Sequence, residues 1–277
     1  MSVDLRAKHA FITGAAGGIG RAVTAAFIEA GAHVTAADIN EEGLAALENS
    51  LASGGQLTTC VLDISDQTAC AAVIEAVAGV DILINNGAVG MGVIRDDHLD
   101  NLVAMEEIVP AVWDRFVATN LSGAWYLTRA VVPAMKALGW GRIITVTTSM
   151  FTMLRPKFHP YGPVKAGLEA MAAGHAGEFA KDGITVNVVV PGGPTDTPFV
   201  PAVTKMDRCA MIRPEVMAPP MLWLCSDAAA EVTGNRYIAA SWDPDAPVAE
   251  ARAAAEAPIG WPGLAGAPVW PGGNPDT

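Results

Sequence analysis

Short apolar runs recur along the chain, separated by stretches with helical composition. Ala10-Phe11-Ile12 leads into a glycine cluster, and Arg21 to Ala30 then reads as a helix that Gly31 stops. His33-Val34-Thr35-Ala36-Ala37, Gln56 to Leu62, Asp81-Ile82-Leu83-Ile84, Arg142 to Thr147, Thr185 to Val190 and Arg236 to Ala240 read as further strands. Between them the pattern predicts helices over Glu41 to Leu51, Gln67 to Val77, Val164 to Ala180 and Pro214 to Cys225, and another near Trp113 to Leu138. About seven strands thus alternate with helices. Strands this short and continuously apolar belong to a parallel sheet covered on both faces, with right-handed crossovers. The expected fold is α/β: a doubly wound, Rossmann-like three-layer sheet in a single domain.

Composition narrows the function classes. A hydrophobic fraction of 51% with 17% charged residues describes a chain that folds. The formal net charge of -12 sets its surface against nucleic acid and anionic membranes, so neither is an expected partner. Apolar runs such as Ile143 to Leu154 are far shorter than the ~20 residues of a membrane span. The opening residues meet Asp4, Arg6 and Lys8 before any apolar run, unlike a signal peptide, so a cytoplasmic location is expected. Cys60, Cys70, Cys209 and Cys225 form no CxxC pair and have no histidine at zinc spacing, which predicts free thiols and no metal.

The glycine cluster Thr13-Gly14-Ala15-Ala16-Gly17-Gly18-Ile19-Gly20 joins the first strand to the first helix. There backbone N–H groups and a helix dipole can hold a pyrophosphate, and glycine allows its close approach. The second strand ends in Asp38, followed by Ile39. A carboxylate at that strand end can accept both hydroxyls of the adenosine ribose and repels a 2'-phosphate, which points to NAD rather than NADP. The other reading of Asp38 is a cap on the following helix.

Tyr161 and Lys165 stand four apart at a helix start, on one face and one turn apart. A phenol of pKa ~10 is a poor base at neutral pH, and a neighbouring ammonium brings it toward working range. Pro163 is tolerated there, in the first turn.

The Thr-Gly-x-x-x-Gly-x-Gly spacing resembles that of the short-chain dehydrogenase/reductase family, and the likeness continues to about residue 243. Asp63-Ile64 looks like the family's adenine-ring contact. Asn85-Asn86-Gly87-Ala88 looks like its Asn-Asn-Ala-Gly segment with the last two residues exchanged. Asn120 in Thr119-Asn120-Leu121-Ser122-Gly123 matches its helix asparagine, and Tyr161-Gly162-Pro163-Val164-Lys165 matches its Tyr-x-x-x-Lys signature. Pro191-Gly192 resembles its turn beside the nicotinamide, and Ser226-Asp227-Ala228-Ala229 to Thr233-Gly234 its closing segment.

The resemblance implies an NAD-dependent oxidoreductase acting on a secondary alcohol or its ketone, with Tyr161 as acid/base. It implies that Lys165 also binds the nicotinamide ribose and that Asn120 holds a water near Lys165, although Asn120 also reads as a helix cap or kink. A substrate-binding hydroxyl thirteen residues before the tyrosine falls on Thr148, with Ser149 as the alternative. The threonine that grips the cofactor is Thr197 by preference over Thr195. Cofactor contacts are thus expected from Gly14, Gly17, Gly18, Ile19, Gly20, Asp38, Ile39, Asp63, Ile64, Asn86, Gly87, Tyr161, Lys165, Pro191, Gly192 and Thr197. Residues 1–242 would form the dinucleotide-binding catalytic domain.

Met150 to Pro160 would line the substrate side, apolar with a basic edge at Arg155, Lys157 and His159, which suits a largely apolar or aromatic small molecule. Phe199 to Met206 would be a mobile lid, and the charged run Arg95 to Asp100 a solvated loop. Residues 243–277, with an Ala-rich helix over Pro247 to Ala257 and the Trp261-Pro262-Gly263 and Trp270-Pro271-Gly272-Gly273 segments, read as an extension of the same domain to which no chemistry is assigned. The small residues Ala166, Gly167, Ala170, Ala172, Ala173 and Gly174 suit close helix contact, and the resemblance implies a homodimer or homotetramer through that helix. Two other readings stand beside the dehydrogenase: an enoyl reductase, whose Tyr to Lys spacing would be wider, and an NAD-binding sensor without turnover.

Overall fold

The computed structural model describes residues 3–51, 56–77 and 79–264. In chain order the main elements are β1 His9–Thr13, α1 Gly18–Glu29, β2 His33–Asp38, α2 Glu41–Ser50, β3 Leu57–Val61, α3 Gln67–Val77 and β4 Ile82–Asn85. They continue with α4 Pro110–Val117, α5 Gly123–Leu138, β5 Gly141–Val146, the one-turn α6 Met150–Met153, α7 Tyr161–Phe179 and β6 Ile184–Val190. The chain then forms α8 Ala218–Leu224, β7 Asn235–Ile238, α9 Val248–Ala255 and β8 Glu256–Pro258.

The strands make one sheet in the order β3-β2-β1-β4-β5-β6-β7-β8, parallel except for the β7–β8 pair. Alternation within each strand splits the core into two layers. Ala10, Ile12, Ile82, Ile84, Ile144 and Val146 face one layer with Val23 and Phe27 of α1 and Met221 of α8. Phe11, Leu83, Ile143, Val186 and Val188 face the other, with Leu127 and Val131 of α5 and Ala172 and Ala176 of α7. The doubly wound three-layer α/β fold expected from the sequence is the one observed.

An eighth strand was not expected, because Glu256-Ala257-Pro258 carries no strand pattern. It pairs antiparallel with β7 at the sheet edge, where a proline is tolerated. The described part of the extension, residues 243–264, packs on the sheet: Ala251, Ala255 and Ile259 are buried. The helix expected near Trp113 to Leu138 is broken by a π-helical turn, Ala118–Ser122. Trp270-Pro271-Gly272-Gly273 lies outside the described residues. All four cysteines are free, and among the described residues no helix is long and apolar enough to cross a membrane.

The order reverses between β1, whose sequence neighbour β2 lies to one side, and β4 on the other. That switch point opens a crevice at the carboxyl ends of the strands, where ligands of such sheets bind. Its walls rest on the core beneath α1. Phe27→Ala, which empties a fully buried site, should cost roughly 3–5 kcal/mol, read as a lower urea midpoint with an unchanged slope.

Candidate active site

The crevice is built from the end of β1. Gly14 has φ +64, and a Cβ there would lie 2.8 Å from both Asn86 Nδ2 and Gly87 Cα. At Gly20 a Cβ would collide with the Gly14 carbonyl. No side chain caps α1 at Gly17, so the first amides of this helix, from Gly18 to Gly20, are left for an anion. The cradle fits a pyrophosphate.

Asp38 stands beside it, its Oδ2 accepting from Ala16 N at 2.9 Å and its Oδ1 from Asn40 N at 2.9 Å. Asn40, not Asp38, caps α2 through Gly43 N at 3.0 Å. Ile39 is exposed next to it. On β3's continuation Asp63 Oδ1 accepts from Ser65 N and Oγ at 2.9 and 2.7 Å, and Ile64 is buried beside Gly87 and Gly123. Asn86 Nδ2 donates to the Thr13 and Gly14 carbonyls at 2.9 and 3.1 Å, fixing the turn from the β4 side.

Two residues of this framework have bonding roles that no sequence signal discloses, although Thr13 opens the glycine motif. The Thr13 hydroxyl donates to Ile84 O and accepts from Asn86 N and Gly87 N. Arg21 bridges the turn to α2, donating to Ala16 O at 2.9 Å and Gly43 O at 2.7 Å. Either could be found only by knowing which carbonyls lie opposite.

On the other side of the crevice Gly192, at φ +107, turns the chain after β6, and Pro191 O accepts from Ala240 N at 3.0 Å. Thr195 makes a β-bridge with Ile212, whereas Thr197 packs on Gly18, where a Cβ would collide with its side chain. Of the two threonines, Thr197 touches the phosphate turn.

Tyr161 opens α7 and Lys165 follows one turn on, Nζ lying 5.8 Å from the Tyr161 ring centre. Lys165 is buried and donates to Val146 O at 2.8 Å, and burial lowers its pKa to about 8. Burial pushes Tyr161 up to about 12, and the nearby Thr148 side chain pulls the other way. The lowering expected from Lys165 is absent here: that amine is itself desolvated and aims at a carbonyl. Ser149 is spent elsewhere, its hydroxyl accepting from Thr152 N at 3.1 Å as the cap of α6. Asn120, buried in the π turn, clamps Val89 by accepting from its N–H at 2.7 Å and donating to its carbonyl at 2.9 Å. It both kinks its helix and pins the segment after Asn86.

Aromatic rings surround the phenol. Phe158 meets the Tyr161 ring edge-on at 6.0 Å and Phe199 at 6.0 Å, tilted. Phe199 also fills the space that a Cβ on Gly90 would need. His159, singled out by sequence, is half-buried; its neighbour Phe158 is the residue that touches the phenol.

A dinucleotide cradle and a Tyr–Lys–hydroxyl group in one crevice define a nicotinamide-dependent oxidoreductase. A family model for short chain dehydrogenases matches residues 8–208, and the chain belongs to the short-chain dehydrogenase/reductase family. It is 32% identical over 246 residues to the 3-oxoacyl-(acyl-carrier-protein) reductase of Escherichia coli, covering 84% of this chain and 96% of that one. It is 33% identical over 251 residues to the D-xylose 1-dehydrogenase of Caulobacter vibrioides, covering 86% and 97%. The structure of the 3-ketoacyl-(acyl-carrier-protein) reductase from Brucella melitensis complexed with NADH superposes with a TM-score of 0.71 at 26% identity, over 83% of this chain and 95% of that one.

The depressed Lys165 pKa has a thermodynamic sign. Between pH 8 and the ordinary value of 10.5 the unfolded chain binds the extra proton, so stability rises with pH through that window. Below it the buried amine costs roughly 3 kcal/mol. Lys165→Met should therefore be more stable than the wild type at pH 7, and the gap should close toward pH 10. Urea unfolding at both pH values checks this, and a gap that widens with pH would contradict it.

Proposed function

We propose that the protein is an NAD-dependent dehydrogenase/reductase that interconverts a secondary alcohol and its ketone, and that its substrate is a largely apolar or aromatic small molecule. The observation that carries the reading is the Tyr161–Lys165 pair at the start of α7, with Lys165 buried under the Val146 carbonyl, beside the phosphate cradle. Gly14, Gly17, Gly18, Ile19 and Gly20 would hold the pyrophosphate, and Asp38 and Ile39 the adenosine ribose side. Asp63 and Ile64 would face the adenine. Asn86, Gly87, Pro191, Gly192, Thr197, Tyr161 and Lys165 would hold the nicotinamide half. When bound, that cofactor accepts or supplies the hydride.

The chain's own residues do the proton work. In the oxidation direction Tyr161 Oη takes the hydroxyl proton of the substrate, and in reduction it gives that proton to the forming alkoxide. The Thr148 hydroxyl donates to the same oxygen and stabilises its charge. Lys165, one turn along α7 and 5.8 Å from the phenol ring centre, is placed to bind the nicotinamide ribose. Asn120 acts through the Val89 backbone, holding the floor of the crevice. Phe158, Phe199 and the exposed Phe151 and Leu154 favour an apolar substrate. The two named relatives reduce a 3-oxoacyl group and oxidise a sugar, which supports the shared carbonyl–alcohol chemistry. Free thiols suit a cytoplasmic location. Residues 1–242 form the catalytic unit in this reading and 243–277 an extension of it.

Three outcomes are expected. In a spectrophotometric screen of NAD and NADP against aliphatic, aromatic, steroid and polyol alcohols, Tyr161→Phe should lower kcat by about 100- to 10,000-fold while NADH binding is retained. Undiminished turnover would sink the assignment. Asp38→Asn keeps an acceptor and removes the charge that repels a 2'-phosphate, so the NAD to NADP preference in kcat/KM should fall by about tenfold or more. The exposed Gly174 and Gly177 of α7, where a Cβ would meet nothing within 4 Å, favour a homodimer or homotetramer. Light scattering that returns a monomer at micromolar concentration would overturn that arrangement.

A further inference from the structure

Tyr161, Lys165 and Glu169 succeed one another every fourth residue on α7, so they share one face. Glu169 is fully buried. Its Oε2 accepts from the Thr147 hydroxyl at 2.6 Å and its Oε1 from Arg236 Nε at 2.8 Å. Gly260 N, from the segment just past β8, reaches the same Oε1 at 3.5 Å. Arg236 is buried on β7, and its second arm, Nη2, donates to the Thr148 carbonyl at 3.0 Å.

We propose that Arg236 and Glu169 are positioning residues, an ion pair that sets the Thr148 hydroxyl against Tyr161. The pair grips two consecutive residues at the end of β5, Thr147 by its hydroxyl and Thr148 by its carbonyl. With both neighbours of the Thr148 Cα held, the direction of its side chain is fixed relative to α7, the helix that carries the phenol. A guanidinium can do this because its planar fork bonds a carboxylate and a carbonyl at once, which an ammonium on a flexible stem does not reproduce. Stability is not a sufficient reason for the pair, since apolar residues of similar volume are often as stable as a buried ion pair. Placement is what the charges add. The extension takes part: β8 pairs with β7, and Gly260 supplies a third donor to the carboxylate.

The inference rests on the reading of Thr148 as the hydroxyl partner of Tyr161, and its test separates the two. The protein has three tyrosines, so labelling with tyrosine carrying 13C at Cζ gives three resonances, and Tyr161→Phe assigns the one of interest. That line reports the hydrogen bond to the phenol without any substrate. Thr148→Val should displace it. Arg236→Lys, which keeps the charge opposite Glu169, should displace it in the same direction, and the double variant should add no further shift. If Thr148→Val leaves the line in place, the reading of Thr148 fails and the proposal with it. If Thr148→Val moves the line and Arg236→Lys does not, whatever the loss in Tm, the contact stands and the positioning role is overturned. Glu169→Met combined with Arg236→Met removes both charges together and guards against misfolding of the single variant. It should keep a Tm near the wild type while showing the displaced line, and a line at the wild-type position would overturn the proposal.

Discussion

The crevice depends on one hydroxyl. Thr13 ends β1, and its Oγ1 uses its full capacity, donating to Ile84 O at 3.3 Å and accepting from Asn86 N at 3.0 Å and Gly87 N at 2.9 Å. It ties β1 to the backbone that leaves β4 at the place where strand order reverses. The phosphate turn and the segment that follows β4 hang from that seam. Gly14 begins the phosphate turn one residue later, Asn86 returns two bonds to it, and Asn120 holds Val89 three residues beyond Asn86. A buried threonine with every lone pair engaged makes the seam rigid, because any displacement strands a backbone amide without water to replace its partner.

Burial then decides the electrostatics. Lys165 sits under the Val146 carbonyl with its pKa near 8, and Tyr161 stands near 12 with only Thr148 opposing the desolvation. Burial disfavours the charged form of each group, so the phenol stays neutral and the amine holds its proton less tightly than an exposed lysine. The same arrangement makes the pair responsive, since positive charge delivered next to the phenol acts through little intervening water. An amphipathic Tyr–Lys pair on an exposed helix would have neither property. The sequence spacing alone does not distinguish the two cases; the depth of α7 against β5 and β6 does.

Legibility in the sequence followed the range of the interaction. Alternation and glycine punctuation disclosed seven of the eight strands and the phosphate turn, because those signals are local. The placement of Tyr161 and Lys165 on one helix face and of Asp38 at the end of β2 was legible for the same reason, since each position is set by its own element. The choice between Thr148 and Ser149 was not, since it turns on whether Ser149 caps a one-turn helix at Met150–Met153. The bonding roles of Arg21, Thr13 and Glu169 were not legible because each has a partner 22 or more residues away, and a charged or hydroxyl side chain looks like noise until the group opposite it is known. β8 escaped notice because its pairing is supplied by β7 and its own residues have no strand propensity.

The substrate wall shows how the two kinds of information divide. Under Tyr161 lies a small core of Met91, Val103, Phe116, Phe158 and Val164, so residues of the long segment between β4 and α4 pack directly beneath the phenol. Above it, Phe199 lies on Gly90, Pro201 nears Gly92, and Lys205 N donates to Asp100 Oδ2 at 2.9 Å. The charged run around Asp100 is thus more than a solvated loop, since one of its carboxylates meets the loop after β6. An exposed hydrogen bond of this kind contributes about 0.5–1.5 kcal/mol net, and Phe199 is half exposed. Separating the two segments therefore costs little compared with disturbing the core below them. Tyr161 and Lys165 are fixed against the ends of buried strands, while the segments above them are two surface loops joined by the Phe199–Gly90 packing and the Lys205–Asp100 hydrogen bond. A scaffold built this way can keep its buried strand ends constant while the loops over them vary, and loops on a rigid scaffold are where differences in recognition arise.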